Sequence, residues 1–139
     1  MNENELSRVI VEAAIEVHRT LGGPGLLESV YEEALMWELQ QHNITVEQQK
    51  TVPIVYKGEQ LGNPLRLDLL VGGLVIVEIK STSQYDKIFE AQLLTYLRLT
   101  NVKLSMVINF GERLVKNGIH RVVNNLLRTL RPCILAPLR

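Results

Sequence analysis

Arg66-Leu67-Asp68-Leu69-Leu70-Val71-Gly72-Gly73-Leu74-Val75-Ile76-Val77-Glu78-Ile79-Lys80 is the stretch on which the fold turns. The runs on either side of Gly72-Gly73 are rich in Leu, Val and Ile, and Gly-Gly between such runs signals a hairpin. Asp68, Glu78 and Lys80 interrupt this otherwise apolar unit. An ionised side chain in apolar surroundings is costly unless it is paired or binds a metal. One explanation is a hard cation. Mg²⁺ binds through one or two carboxylates, keeps several waters and takes further oxygens from substrate phosphate. Asp68 and Glu78 supply the carboxylates on that reading. Lys80 lies two residues after Glu78, so the two share a face of a strand. There it neutralises phosphate charge or orients a nucleophilic water. An unperturbed lysine titrates at about pH 10.4, which favours a charged stabiliser over a general base. The plainer alternative is a salt bridge at the open end of a sheet.

Register decides whether the site exists. A strict two-residue turn at Gly72-Gly73 pairs Val71 with Leu74 and Asp68 with Val77, and sets Asp68 on the face opposite Glu78 and Lys80. A shared site therefore requires an odd-length connection, such as a three-residue loop, or a β-bulge. We expect such an irregularity between Asp68 and Glu78, with the carboxylates converging.

On the N-terminal side, Leu6, Val9, Ile10, Ala13, Ala14, Val17 and Leu21 recur at helical spacing and predict an amphipathic helix over 5–20. Gly22-Gly23-Pro24-Gly25 stops it. A second helix is expected over 27–42, with a capping box at Ser29 and Glu32 and apolar contacts from Val30, Ala34, Leu35, Trp37 and Leu39. Strand-like pieces follow at 44–49 and 52–56. On the C-terminal side a helix is expected over 86–99, with Ile88, Phe89, Leu93, Leu94 and Leu97 inward. Strands are expected over 102–108 and 115–123, a short helix over 124–130, and a loose tail from Pro132 to Arg139.

The 139 residues suffice for a single domain with one core, expected over about 5–125 with a tail from about 126. No apolar run is long enough to cross a bilayer, so no membrane partner is expected, and the polar start is unlike a secretory signal. Cys133 is the only cysteine; no internal disulfide is possible, and a reducing cytoplasm fits. His18, His42 and His120 lack zinc-ligand spacing. Formal net charge is zero, but residues 1–60 hold ten acids against four bases, and residues 103–139 hold seven bases against Glu112 alone. That asymmetry suits either a polyanion-facing side or a solvated basic surface.

Two further constellations stand out. In Gly25-Leu26-Leu27-Glu28-Ser29-Val30-Tyr31, Glu28 and Tyr31 are three apart and able to share a helix face; an acid in a first turn also complements the helix dipole. In Glu90-Ala91-Gln92-Leu93-Leu94-Thr95-Tyr96, Gln92 and Tyr96 stack four apart on a partly apolar stripe. A buried amide or phenol needs a partner, which a phosphate, a metal-bound water or a backbone carbonyl supplies.

Asp68 followed by Glu78-Ile79-Lys80 resembles the signature of the PD-(D/E)XK nuclease superfamily. The Gly25, Glu28, Tyr31 segment is similar to the hallmark of its small GxxExxY family, and Gln92 with Tyr96 resembles the QxxxY element of RecB-like exonuclease domains. The resemblance covers about residues 5–125, and its strength lies in the ordered combination. The residue before Asp68 is Leu67, not the proline of the superfamily's name. The resemblance implies an α/β fold, a mixed central β-sheet flanked by helices with a restriction-endonuclease-like core. It implies a Mg²⁺-dependent nuclease, Mn²⁺ able to substitute, acting on nucleic acid with DNA as the first expected substrate. Asp68 and Glu78 become metal ligands, with the Ile79 carbonyl as a third. Lys80 becomes the catalytic lysine, Glu28 reaches a ligand of the metal, and Gln92 and Tyr96 position the phosphate or the site. The alternative is a non-cleaving nucleic-acid-binding or assembly module on the same fold. A homo-oligomer is compatible with either.

Overall fold

The computed structural model describes residues 1–126. Three helices and seven strands follow in the order α1 (Glu3–Thr20), α2 (Glu28–Gln41), β1 (Val46–Val52), β2 (Val55–Tyr56), β3 (Glu59–Gln60), β4 (Leu65–Val71), β5 (Val75–Lys80), α3 (Ile88–Thr100), β6 (Leu104–Asn109), a 3₁₀ turn (Val115–Gly118) and β7 (Ile119–Val123). The central sheet has five strands in the order β1-β4-β5-β6-β7. Only β5 and β6 run parallel, joined by α3 as the crossover; the other neighbours are antiparallel. This is the mixed α/β architecture expected.

Each sheet face carries its own core. Leu6, Ile10, Ala13, Ala14 and Val17 of α1 and Tyr31, Leu35 and Leu39 of α2 pack against Leu69, Val71, Val75, Val77, Met106 and Ile108. Leu93 and Leu97 of α3 cover Leu65, Leu67, Ile76 and Val107 on the opposite face. Burial of this kind contributes roughly 1.5–3 kcal/mol for each large side chain.

Several local expectations are corrected. The capping box belongs to α1, where Asn2 Oδ1 accepts from the Glu5 N–H and Glu5 accepts from the Asn2 N–H, both at 2.8 Å. Helix α2 has Leu27 at its N-cap and no side-chain cap; it starts at Glu28, so Ser29 lies inside the helix, and Glu32 accepts from Gln48 and Gln49 of β1. Its inward stripe is Tyr31, Leu35 and Leu39, which leaves Trp37 on the opposite side, 57% exposed, and Val30 exposed as well. Ile88, at the start of α3, is also exposed. The strand pieces before the central hairpin divide differently, into a continuous β1 and a separate β2–β3 ribbon. Val115–Gly118 is a 3₁₀ turn, not strand. Asn124 and Asn125 form a bend and Leu126 is not helical; positions 127–130 of the helix expected there, and the tail, lie outside the described residues.

The central hairpin has the odd connection the site demands. Val71 pairs with Val75, so Gly72, Gly73 and Leu74 form the loop. Gly72 and Gly73 both take positive φ, at 61° and 70°, and the Leu74 N–H donates to the Val71 carbonyl at 3.0 Å. Continuing the register from Leu69↔Val77 sets Asp68 opposite Glu78.

Candidate active site at the strand wedge

β4 and β5 pair only as far as Leu69↔Val77, although β4 begins at Leu65 and β5 runs on to Lys80. Past that pair, side chains replace the backbone ladder. The Asp68 N–H donates to Glu78 Oε2, and the Ile79 N–H donates to Asp68 Oδ2, each at 2.9 Å. The two carboxylates thus sit in the seam where the strands part. Asp68 Oδ1 and Glu78 Oε1 take no part in these two bonds. The Ile79 N–H points toward β4, and in an extended strand the carbonyl of the same residue points the same way.

The β1–β4 ladder breaks at the same level. The pairs on either side of Gln49 and Asp68 form, but those two residues do not pair, and Gln49 adopts a left-handed φ of 51°. Leu65 and Leu67 face α3, whereas Leu69 and Val71 face α1 and α2. The ribbon switches faces at Asp68, and a break of this kind re-aims a side chain.

A third acid approaches from α2. Glu32, 6% exposed, accepts from Gln48 Nε2 at 2.8 Å and from Gln49 Nε2 at 3.0 and 3.2 Å. Gln49 Nε2 also lies 3.5 Å from Asp68 Oδ1, so one amide stands between two carboxylates. Burial, then the Asp68 charge and more weakly Glu32, push the Glu78 carboxyl up to about 8, opposed by its bond from the Asp68 N–H and by Lys80.

Helix α3 closes the other side. Lys80 Nζ lies 4.4 Å from the centroid of the Phe89 ring, a cation–π contact. Tyr96 is partly buried among the α3-side apolar residues, and burial together with the Glu78 and Asp68 charges raises its phenol above the usual range. Gln92 is exposed, on the α3 face that carries Phe89 and Tyr96 one turn to either side. Past Lys80 the chain is clamped. Buried Asn109 accepts from the Thr82 and Gly111 N–H groups at 3.0 and 2.9 Å and donates to the Thr82 carbonyl at 3.0 Å.

The structure brings together Asp68, Glu78, Ile79, Lys80 and Tyr96. It does not bring Glu28 and Tyr31 to one place. Tyr31 is fully buried and stacks on Phe110 at 4.5 Å. Its hydroxyl donates to the Gly23 carbonyl at 2.7 Å and accepts from the Leu26 N–H at 3.2 Å, fixing the loop that holds Gly25 at φ 114°. Glu28 is exposed on the first turn of α2, one helical turn before Glu32 on the same face. From sequence alone Glu32 reads as part of a cap, and no motif singles out Gln48 or Gln49. The signal available was the four-residue step from Glu28 and the amide pair inside a strand.

Among the described residues, no three His, Cys, Asp or Glu side chains gather as an all-protein metal cage. The donor set suits a cation that relies less on protein. Two carboxylates with an oxygen each beyond the seam bonds, a carbonyl turned the same way and a charge-crowded Glu78 match what Mg²⁺ takes from protein, with water and phosphate completing its shell.

Fold and site together define an α/β nuclease-like core. A family model for the PD-(D/E)XK nuclease superfamily matches residues 4–122, and the chain belongs to that superfamily. No curated protein and no solved structure matches. No helix among the described residues is long and apolar enough to cross a membrane.

Proposed function

We propose that the wedge between β4 and β5 is the active site of a Mg²⁺-dependent nuclease that hydrolyses phosphodiester bonds, DNA being the first expected substrate. The observation that carries this reading is the seam itself. Two acids are held face to face by backbone N–H groups, with Lys80 on the same strand face as Glu78. Asp68, Glu78 and the Ile79 carbonyl are the residues that would hold the ion. When bound, it supplies Lewis-acid polarisation of the phosphate and a more acidic water. Lys80 then carries charge that develops on the phosphate oxygens, in partly apolar surroundings that strengthen the interaction. Gln92 and Tyr96 orient the phosphate from α3, and Glu28 and Glu32 order the water shell from α2. Gly25, Glu28 and Tyr31 support assignment to the GxxExxY group, and Gln92 with Tyr96 to a RecB-like element. We read residues 5–125 as one catalytic unit of a cytoplasmic protein, compatible with a homo-oligomer.

The test is cleavage of single- and double-stranded DNA and of RNA with Mg²⁺ and with Mn²⁺. Wild type should cut, and Asp68→Asn and Lys80→Ala should each lose about a hundredfold or more. A wild type that cuts nothing with either metal overturns the reading. The zero net charge favours a second reading, a non-cleaving nucleic-acid-binding or assembly module; binding without cleavage would select it.

A further inference from the structure

Beyond the last β1–β4 pair, Val52↔Leu65, the chain forms a separate two-stranded arm. Val55 pairs with Gln60 and Tyr56 with Glu59, across a Lys57-Gly58 turn in which both residues take positive φ, 50° and 84°. The base is anchored. The Leu61 N–H donates to the Ile54 carbonyl at 2.8 Å, and Val52 and Ile54 pack into the α3-side core. Beyond that base the arm stands in solvent, with Val55 62% and Tyr56 59% exposed. Lys57 Nζ lies 5.4 Å from the centroid of the Tyr56 ring.

The arm continues from the ribbon that carries Asp68, at the end of the sheet where the wedge opens. Asp68 is three residues from the end of the ribbon that carries it. β4 and β5 are antiparallel, so the start of β4, where the arm joins it, and Lys80 lie at the same end of the sheet. The arm thus rises on the β4 flank of the wedge, and Lys80 and α3 form the other flank. On the nuclease reading, a nucleic-acid backbone lying in the wedge would run past the arm. Lys57 and Glu59 balance in charge, so the arm offers a ring more than an electrostatic groove. An exposed aromatic beside a cation suits the π-face of a base, and only unpaired bases present that face.

We propose that the β2–β3 arm, through Tyr56 with Lys57 beside it, stacks on a base of a single-stranded nucleic acid whose backbone lies in the wedge. The proposal rests on the nuclease reading for the position of the backbone. Two measurements separate the two ideas. The first is fluorescence anisotropy with labelled oligothymidylate and with a duplex, in chelator so that nothing is cut. Tyr56→Ala should weaken oligothymidylate binding by about 5- to 150-fold, the range of one base–aromatic stack. Tyr56→Phe should retain the affinity, and duplex binding should not change. The second is hydrolysis of bis(p-nitrophenyl) phosphate with Mn²⁺, an ester too small to reach the arm, which should be the same in wild type and Tyr56→Ala. Unchanged oligothymidylate affinity in Tyr56→Ala overturns the proposal. So does an equal loss on single strand and duplex, or a wild type that binds neither. A Tyr56-dependent change in sedimentation with unchanged affinity would make the arm a contact between copies, and also overturns it. Failure of wild type to hydrolyse the small ester strikes the nuclease reading and leaves the arm to be judged by binding.

Discussion

Glu78 is the residue under most electrostatic load. Burial and the neighbouring Asp68 make its proton bind more tightly in the folded chain than in the unfolded one, where a glutamate titrates near pH 4.3. A raised acid contributes most stability below the unfolded value and loses it as pH climbs through the folded value. Between about pH 4.3 and about 8, wild type should therefore become steadily less stable relative to Glu78→Gln, whose amide oxygen still accepts the Asp68 N–H. Melting curves across that range should show the variant gaining several degrees by the alkaline end; parallel curves would contradict the shift. Gln49 is the second residue to probe, because its amide separates Glu32 from Asp68. Gln49→Ala should weaken Mn²⁺ binding about tenfold or more in calorimetry, as removal of an outer-shell partner does. Asp68, Glu78 and Lys80 were legible in the sequence because charge breaks an apolar run. Glu32 was not, because what singles it out is a contact with Gln48 and Gln49 on another element.

At the scale of elements, the hairpin shows how a local count carries a global result. The need for an odd connection followed from the alternation of side chains, and Gly72-Gly73-Leu74 supplies it. The split between β1 and the β2–β3 arm was harder to read. It depends on where β4 finds its partner, which no run of residues states. The loops after β5 and β6 are coupled in the same nonlocal way, through Asn109 and through Gly111. A Cβ at Gly111 would run into the Thr82 backbone. Gly111→Ala should therefore destabilise the protein by about 1–3 kcal/mol and lower activity by shifting the segment that follows Lys80. Chemical denaturation with an unchanged midpoint would show that the loop yields without cost.

At the scale of the molecule, three cations that follow α3, Lys103, Arg113 and Lys116, divide between the two ends of the sheet. β6 runs parallel to β5, so Arg113 and Lys116, after β6, lie at the end that carries Lys80. Lys103, before β6, lies at the other end. All three are exposed. Neutralising Arg113 and Lys116 together should reduce the slope of log affinity against log salt by about 0.7 for each single-strand phosphate that the two cations neutralise. Lys103→Gln should leave the slope unchanged. Equal effects at both ends would mean that charge acts only in sum.

The seam between β4 and β5 has a consequence for ancestry. Asp68 and Glu78 hold the sheet together where its own ladder stops, so on the nuclease reading they answer to two selective pressures, chemistry and folding. A descendant that gave up cleavage would still be penalised for replacing either acid with a side chain that cannot accept a hydrogen bond, since a backbone N–H would be stranded. Lys80 holds no backbone group; its charge offsets the crowded carboxylates and its side chain rests on the ring of Phe89. In a lineage drifting out of catalysis, the lysine would be the first of the three to change. On the nuclease reading, the lysine therefore speaks more for chemistry, and less for folding, than the two carboxylates beside it.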